Sequence, residues 1–239
     1  MFFCGFYTQK SSYASTKSPN FSQRFIKYIM LTISNLYSEF KALWRRIGAK
    51  GDARKYYNYI IAQYSKNRFH HGIYHIIGSL NRLSEVKHLL KNSDKIEFAL
   101  WYHDIIYNEN SKTNEKDSAD LAHKVCIENG LNNEFAKEVQ ELILMTSHLK
   151  EPKTTIEKII IDIDLSTLGH QWEEFERYAQ NIRKENIHSS DKQFYQKMSK
   201  FFQKMVDKKR IYYSDYFYNK YEMQARTNIN KYLSLLKNL

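Results

Sequence analysis

Residues 73–90 read Ile-Tyr-His-Ile-Ile-Gly-Ser-Leu-Asn-Arg-Leu-Ser-Glu-Val-Lys-His-Leu-Leu, and their apolar positions decide the fold class. Ile73, Ile76, Ile77, Leu80, Leu83, Val86 and Leu90 recur at steps of three and four. That is the spacing of one helix face; a strand would alternate every second residue. The stretch predicts an amphipathic helix of about five turns. Upstream, Tyr57, Ile60, Ile61 and Tyr64 mark a short helix over 56–64. Before it, Phe25, Ile29, Ile33, Leu36, Phe40, Leu43 and Ile47 form a longer stripe that Gly48 and Gly51 stop. Downstream, Asp94 and Glu97 have capping-box spacing ahead of the almost wholly apolar run Ile96–Ile106. Further helices are predicted over 115–129, 134–149, 155–168, 172–187, 191–210 and 219–238, with Thr154 and Glu157 as a second capping box.

The composition agrees. Seven glycines and two prolines in 239 residues are too few for the frequent turns of a sandwich or barrel. No G-x-G-x-x-G or G-x-x-x-x-G-K-[ST] is present, which excludes those nucleotide-binding loops. The expected fold is all-α: one compact helical bundle over 36–239, preceded by an extension over 1–35. That extension has no acidic residue and carries Lys10, Lys17, Arg24 and Lys27 among many Ser and Thr. It reads as a loosely docked or disordered segment, with an organelle transit peptide as the alternative.

Cys4 and Cys126 cannot make a disulfide framework, which fits an intracellular, cytoplasmic protein, with organelle import as the alternative. No run of 18 apolar residues is present, so no membrane span is expected. The net charge of +11 suits anionic partners: nucleotides, phosphoesters, nucleic acid or acidic lipid. It suits a solvated Lys-rich surface equally well.

Chemistry concentrates in three apolar segments. His103 and Asp104 sit inside Phe98-Ala-Leu-Trp-Tyr-His-Asp-Ile-Ile-Tyr107. His71 and His75 stand at i and i+4 in Arg68-Phe-His-His-Gly-Ile-Tyr-His75, and Asp162 and Asp164 in Ile159-Ile-Ile-Asp-Ile-Asp-Leu165. One such pair is ordinarily a satisfied core residue. Three sets, each costly to bury alone, point to a shared metal ion that accepts imidazole nitrogen and carboxylate oxygen.

These segments resemble the HD-domain metal-dependent phosphohydrolases, in particular a family of small predicted phosphohydrolases. The resemblance is carried by Tyr64…Arg68-Phe-His-His-Gly-Ile-Tyr-His-Ile76, His103-Asp-Ile-Ile-Tyr107, Asn114-Glu-Lys-Asp-Ser-Ala119 and Asp162-Ile-Asp-Leu-Ser-Thr-Leu-Gly169. Met145-Thr-Ser-His148 and Ala225-Arg-Thr-Asn228 are further familiar segments, and the likeness covers roughly 36–239. It implies a divalent cation (Mn, Co, Ni, Fe, Zn or Mg) held by His71, His103, Asp104 and Asp164. It also implies hydrolysis of a phosphoester, a nucleotide among the candidates, by water activated at that ion, with Asp104 serving catalysis as well. His75 is a substrate contact, a neighbour of the ligands or a ligand of a second metal; His148 is a surface residue or a neighbour of the site, with membership of a second metal site as the alternative. Asp162 either faces solvent or braces a histidine.

The chain departs from the family pattern at His70 and Gly72, where Tyr and Asn are usual. It also departs at Tyr107, where a nucleotidase branch has an acid, and it lacks the Glu-Asp of alarmone hydrolases. Arg68 is the first candidate to hold phosphate, ahead of Arg183 and Arg226, for which salt bridges between helices are the commoner role. Glu115 is the nearest acid downstream of His-Asp; it is either a general acid–base or a favourable first-turn charge. Two other functions stay open: a catalytically weak HD module that binds a nucleotide for regulation, and a basic nucleic-acid binder. The binder is the weaker, because the cluster Tyr212, Tyr213, Tyr216, Phe217 and Tyr218 suits a core better than a base-stacking surface.

Overall fold

The computed structural model describes residues 35–66 and 68–236, and every regular element among them is helical. The expectations placed on 1–34, on Cys4 and on the end of the last helix beyond 236 lie outside the described residues. The chain divides into two units, Met1–Leu36 and Tyr37–Leu239, and of the first only residues 35 and 36 are described.

The elements are α1 (35–46), α2 (Ala53–Tyr64), α3 (Ile73–Val86), α4 (Asp94–Tyr102) and α5 (Asn114–Glu128). They continue with α6 (Asn133–Met145), α7 (Thr155–Asp164), α8 (Trp172–Glu185), α9 (Asp191–Asp207) and α10 (Asp215–Leu236). Short 3-10 turns follow α3 (Lys87–Leu89) and α7 (Leu165–Gly169). α4 and α5 pack on α6, α3 crosses α4 and α7, and α10 lies against α9 and the turn after α7. Among the described residues no helix is long and apolar enough to cross a membrane.

The boundaries follow local chemistry. Thr154 and Glu157 form the expected reciprocal capping box at the start of α7. Gly130, at φ +77°, takes the left-handed conformation that ends α5. The five-turn helix over 73–90 is shorter than its stripe predicts: α3 stops at Val86, and Leu90 is extended. Leu90 is only half-buried, so the last apolar step stays outside the fully buried core.

The capping box expected at Asp94 and Glu97 is not formed. Ser93 is the N-cap and makes no side-chain bond there. Glu97 is buried instead, where it accepts from Arg46 Nη2 at 2.9 Å and Lys87 Nζ at 2.7 Å. A buried carboxylate is costly unless cations meet it, and two cations from α1 and the end of α3 do so.

Aromatic rings fill the core. Phe40, Trp44 and Tyr57 from α1 and α2 surround Trp101 and Phe98 of α4, with Phe40 edge-on to Trp101 at 5.2 Å. A second cluster joins Phe175, Phe202 and Tyr232 across α8, α9 and α10. Tyr212 and Phe217 are fully buried, which makes the late aromatic cluster core in large part. α10 also holds the turn after α7. Tyr212, just before it, donates to Leu165 O at 3.1 Å, and Asn228 Nδ2 donates to Leu168 O and His170 O at 2.9 and 2.8 Å. A Cβ on Gly169 would stand 2.5 Å from Tyr221 Cβ, so only glycine permits this approach.

Candidate metal centre

Three crossing helices bring four side chains together. His75 comes from the first turn of α3, His103 is the C-cap of α4, Asp104 follows it, and Asp164 ends α7. His75 Nε2 lies 2.9 Å from His103 Nε2, 3.2 Å from Asp164 Oδ1 and 3.4 Å from Asp104 Oδ2. His103 Nε2 lies 3.0 Å from Asp104 Oδ2 and 3.7 Å from Asp164 Oδ1. Ligands about 2.0–2.2 Å from a common ion stand roughly 3–3.5 Å from each other, which these separations approximate. His75, His103 and Asp164 are a group that could hold a metal ion.

The ligand chemistry fits as well. His103 Nδ1 lies 2.9 Å from Leu100 O, which assigns the ring proton to Nδ1 and leaves Nε2 as an acceptor. Nε2 then faces carboxylate oxygens and another imidazole in a nearly closed site, where the His103 side chain is only 1% exposed. A cation or a proton must stand among these acceptors. Burial lowers the His103 pKa, but the charges of Asp104 and Asp164 outweigh it and hold the group well above its ordinary 6.5. Burial likewise opposes ionisation of Asp104 and Asp164, and the neighbouring histidines overcome it, keeping both carboxyls below their usual range.

The loop around Asp104 is fixed from several sides. Its backbone N–H donates to the Tyr64 hydroxyl at 3.1 Å. Arg68 donates to the carbonyls of Asp104 and Ile105 at 2.5 and 2.9 Å, with Tyr64 and Tyr107 flanking its guanidinium. Ser118 accepts from Ile106 N at 3.1 Å, and Asn114 exchanges two bonds with the Asn108 backbone. The polar residues of Asn114–Ala119 thereby tie down the segment after His-Asp, and Glu115 is left to line the adjoining pocket.

That pocket measures about 180 Å³ and is bordered by His71, Asp104, Glu115, His148 and Asp164. His148 Nε2 meets Asp164 Oδ2 at 2.9 Å from a backbone at φ +55°, an uncommon conformation for a non-glycine residue. It therefore braces Asp164 from the loop after α6.

Three of the sequence candidates are placed differently from what the resemblance implies. His71 is not among the clustered side chains that could hold an ion. It precedes Gly72, the extended N-cap of α3, so the i, i+4 argument that pairs residues on one helix face does not apply to it. Its Nδ1 meets Glu185 Oε2 at 2.6 Å, while the N–H groups of His70 and His71 donate to Glu185 Oε1 at 2.8 and 2.9 Å. His75, rather than His71, stands beside His103 and Asp164. Arg68 is a clamp on backbone carbonyls rather than a free phosphate ligand.

Asp162 neither faces solvent nor braces a histidine. Fully buried, it accepts from Tyr213 N, Ser214 N and Ser214 Oγ at 2.8, 2.7 and 2.6 Å. Arg183 binds Asp191 and two carbonyls, and Arg226 binds Glu222 and the 206–209 backbone, so both are structural. Glu185 was not foreseen; nothing in its charged helix distinguishes it from solvated neighbours. No protein-family model, curated protein or solved structure matches the chain.

Proposed function

We propose that the protein is a metal-dependent phosphohydrolase of HD type, acting on a phosphorylated small molecule. The observation that carries this reading is the convergence of His75, His103, Asp104 and Asp164, which keeps the order H…HD…D along the chain. A divalent transition metal suits two imidazoles and carboxylates in a site with room beside it. When bound, such an ion polarises a phosphoryl oxygen and acidifies a water molecule.

The chain's own residues supply the rest. Glu115 lines the pocket and is the candidate to take the proton of the attacking water. His71 lines the same pocket. Burial disfavours its charge, but Asp104 and Glu185 outweigh burial and raise its pKa, which favours the cationic form beside the pocket. His148 fixes the carboxylate of Asp164, and Arg68 and Tyr64 fix Asp104.

The test is metal-stripped protein reloaded separately with Mn, Co, Ni, Fe, Zn and Mg, then screened for phosphate release from nucleotides and simple phosphoesters. At least one metal restores hydrolysis, and His103→Ala abolishes it. Tight metal binding with no phosphoester turned over would favour a regulatory module instead.

A further inference from the structure

The chain's excess of positive charge is concentrated at one place in the fold. Between Asp191 and Arg210 stand six lysines and one arginine against two aspartates. Most of this stretch is α9, and its lysines share a face: Lys197, Lys204 and Lys208 follow at steps of seven and four, with Lys200 beside them. On α5 the comparable lysines are neutralised one turn away, Lys116 by Asp120 and Lys124 by Glu128. On α9 they are not. Lys197, Lys200 and Lys204 are exposed and make no ion pair or hydrogen bond with a described residue. Asp207, three residues after Lys204, is taken by Gln203 Nε2 at 2.8 Å.

This face leads to the metal pocket. Phe201 borders that pocket, and it stands four residues after Lys197 and three before Lys204, hence on their side of the helix. At the far end, Lys208 Nζ donates to the Tyr213 hydroxyl at 3.1 Å. Burial lowers the Lys208 pKa, Glu151 opposes this and Lys204 adds to it, so the three charges are neighbours. Glu151 belongs to the loop after α6 whose His148 also borders the pocket. From Lys197 to Lys208 the row of cations runs about 16 Å along the helix axis.

A row of that length suits a chain of phosphates rather than a single one. α9 exposes no large apolar residue, so it lacks what an interfacial helix inserts into lipid. The pocket, about 180 Å³, admits the end of one strand and not a duplex. Phe201, half-buried at its border, suits stacking with an unpaired base.

We propose that the lysine face of α9 binds single-stranded nucleic acid and leads its end to the metal pocket. The surface lies outside that pocket, so the proposal goes beyond the phosphohydrolase reading.

The experiment is fluorescence polarisation of a labelled oligouridylate of about 12 nucleotides with the full chain, over a range of salt concentrations. The strand binds, and the logarithm of its affinity falls with the logarithm of salt by about 0.7 for each phosphate contacted. Lys197→Gln, Lys200→Gln and Lys204→Gln combined weaken binding about tenfold or more and reduce that slope by about 2, while metal content and melting temperature hold. The same loss of charge at Lys41, Lys91 and Lys137, which are exposed elsewhere, leaves the slope near the parent value. Absence of binding, no loss in the α9 variant or an equal loss in both variants would overturn the proposal. So would phosphatidylserine vesicles or polyglutamate bound as tightly as the strand. Because binding is read without turnover, the two readings fail separately: strand binding with no phosphoester hydrolysed keeps this surface and removes the phosphohydrolase reading.

Discussion

His75 Nε2 and His103 Nε2 face each other at 2.9 Å, while His103 Nδ1 is engaged by the Leu100 carbonyl. Two imidazole nitrogens this close, with Asp104 and Asp164 beside them, share a proton or ligate an ion. The raised pKa of His103 means that the metal-free site holds a proton, which an incoming ion must displace. Metal affinity therefore rises with pH, by about tenfold per unit for each proton released, until the raised pKa is passed. Calorimetric titrations in buffers of different ionisation enthalpy measure this. An affinity flat from pH 6 to 8 would contradict it.

His75→Ala lowers metal occupancy strongly, whereas His71→Ala leaves it near the parent level. Metal content of the purified variants decides between the two histidines. Loss in His71→Ala alone would restore the ligand set read from the sequence.

The His71–Glu185 pair stabilises the fold over a defined pH window. The His71 pKa is raised, so its contribution is complete below the unfolded value of 6.5 and is lost as pH rises through the folded one. Burial raises the pKa of Glu185, but the bond from His71 outweighs it and lowers the value. Its contribution is complete above 4.5 and is lost as pH falls. Glu185→Gln therefore costs most between about pH 4.5 and 6.5, on the order of 1.5–3 kcal/mol for hydrogen bonds to a charged group. Denaturant melts at pH 5.5 and 8.5 check this, with the larger loss expected at 5.5.

Arg68→Met destabilises the protein by about 1–3 kcal/mol, because it leaves the carbonyls of Asp104 and Ile105 without donors. Thermal melts of the metal-free variant read this loss. A large rise in KM with unchanged stability would instead return Arg68 to the role of phosphate ligand.

Glu115→Gln retains fold and metal but loses turnover by about 10²-fold or more, the usual scale of general acid–base catalysis. Rates at saturating metal test it. Full activity with a slightly lower melting temperature would leave Glu115 as a first-turn charge on α5.

Much of the fold was legible because apolar periodicity is local. The stripe from Ile73 to Val86 and the capping box at Thr154 and Glu157 depend on residues a few positions apart. Capping at Asp94 and Glu97 failed because Glu97 answers to Arg46, 51 positions away in the chain, and to Lys87. Asp162 and Asp164, two residues apart in one apolar run, diverged for the same reason. Ser214 and the backbone after α9 take the first, and the histidines take the second.

The sequence by itself determined that the chain is helical and that His, Asp and Glu residues with metal-binding chemistry lie in apolar segments. Only the tertiary structure decided which of them meet. Helix faces follow from spacing, but a ligand set depends on where a helix begins and which helices cross. α3 begins after Gly72, which excludes His71 from the helix face, and its crossing with α4 and α7 places His75 against His103 and Asp164.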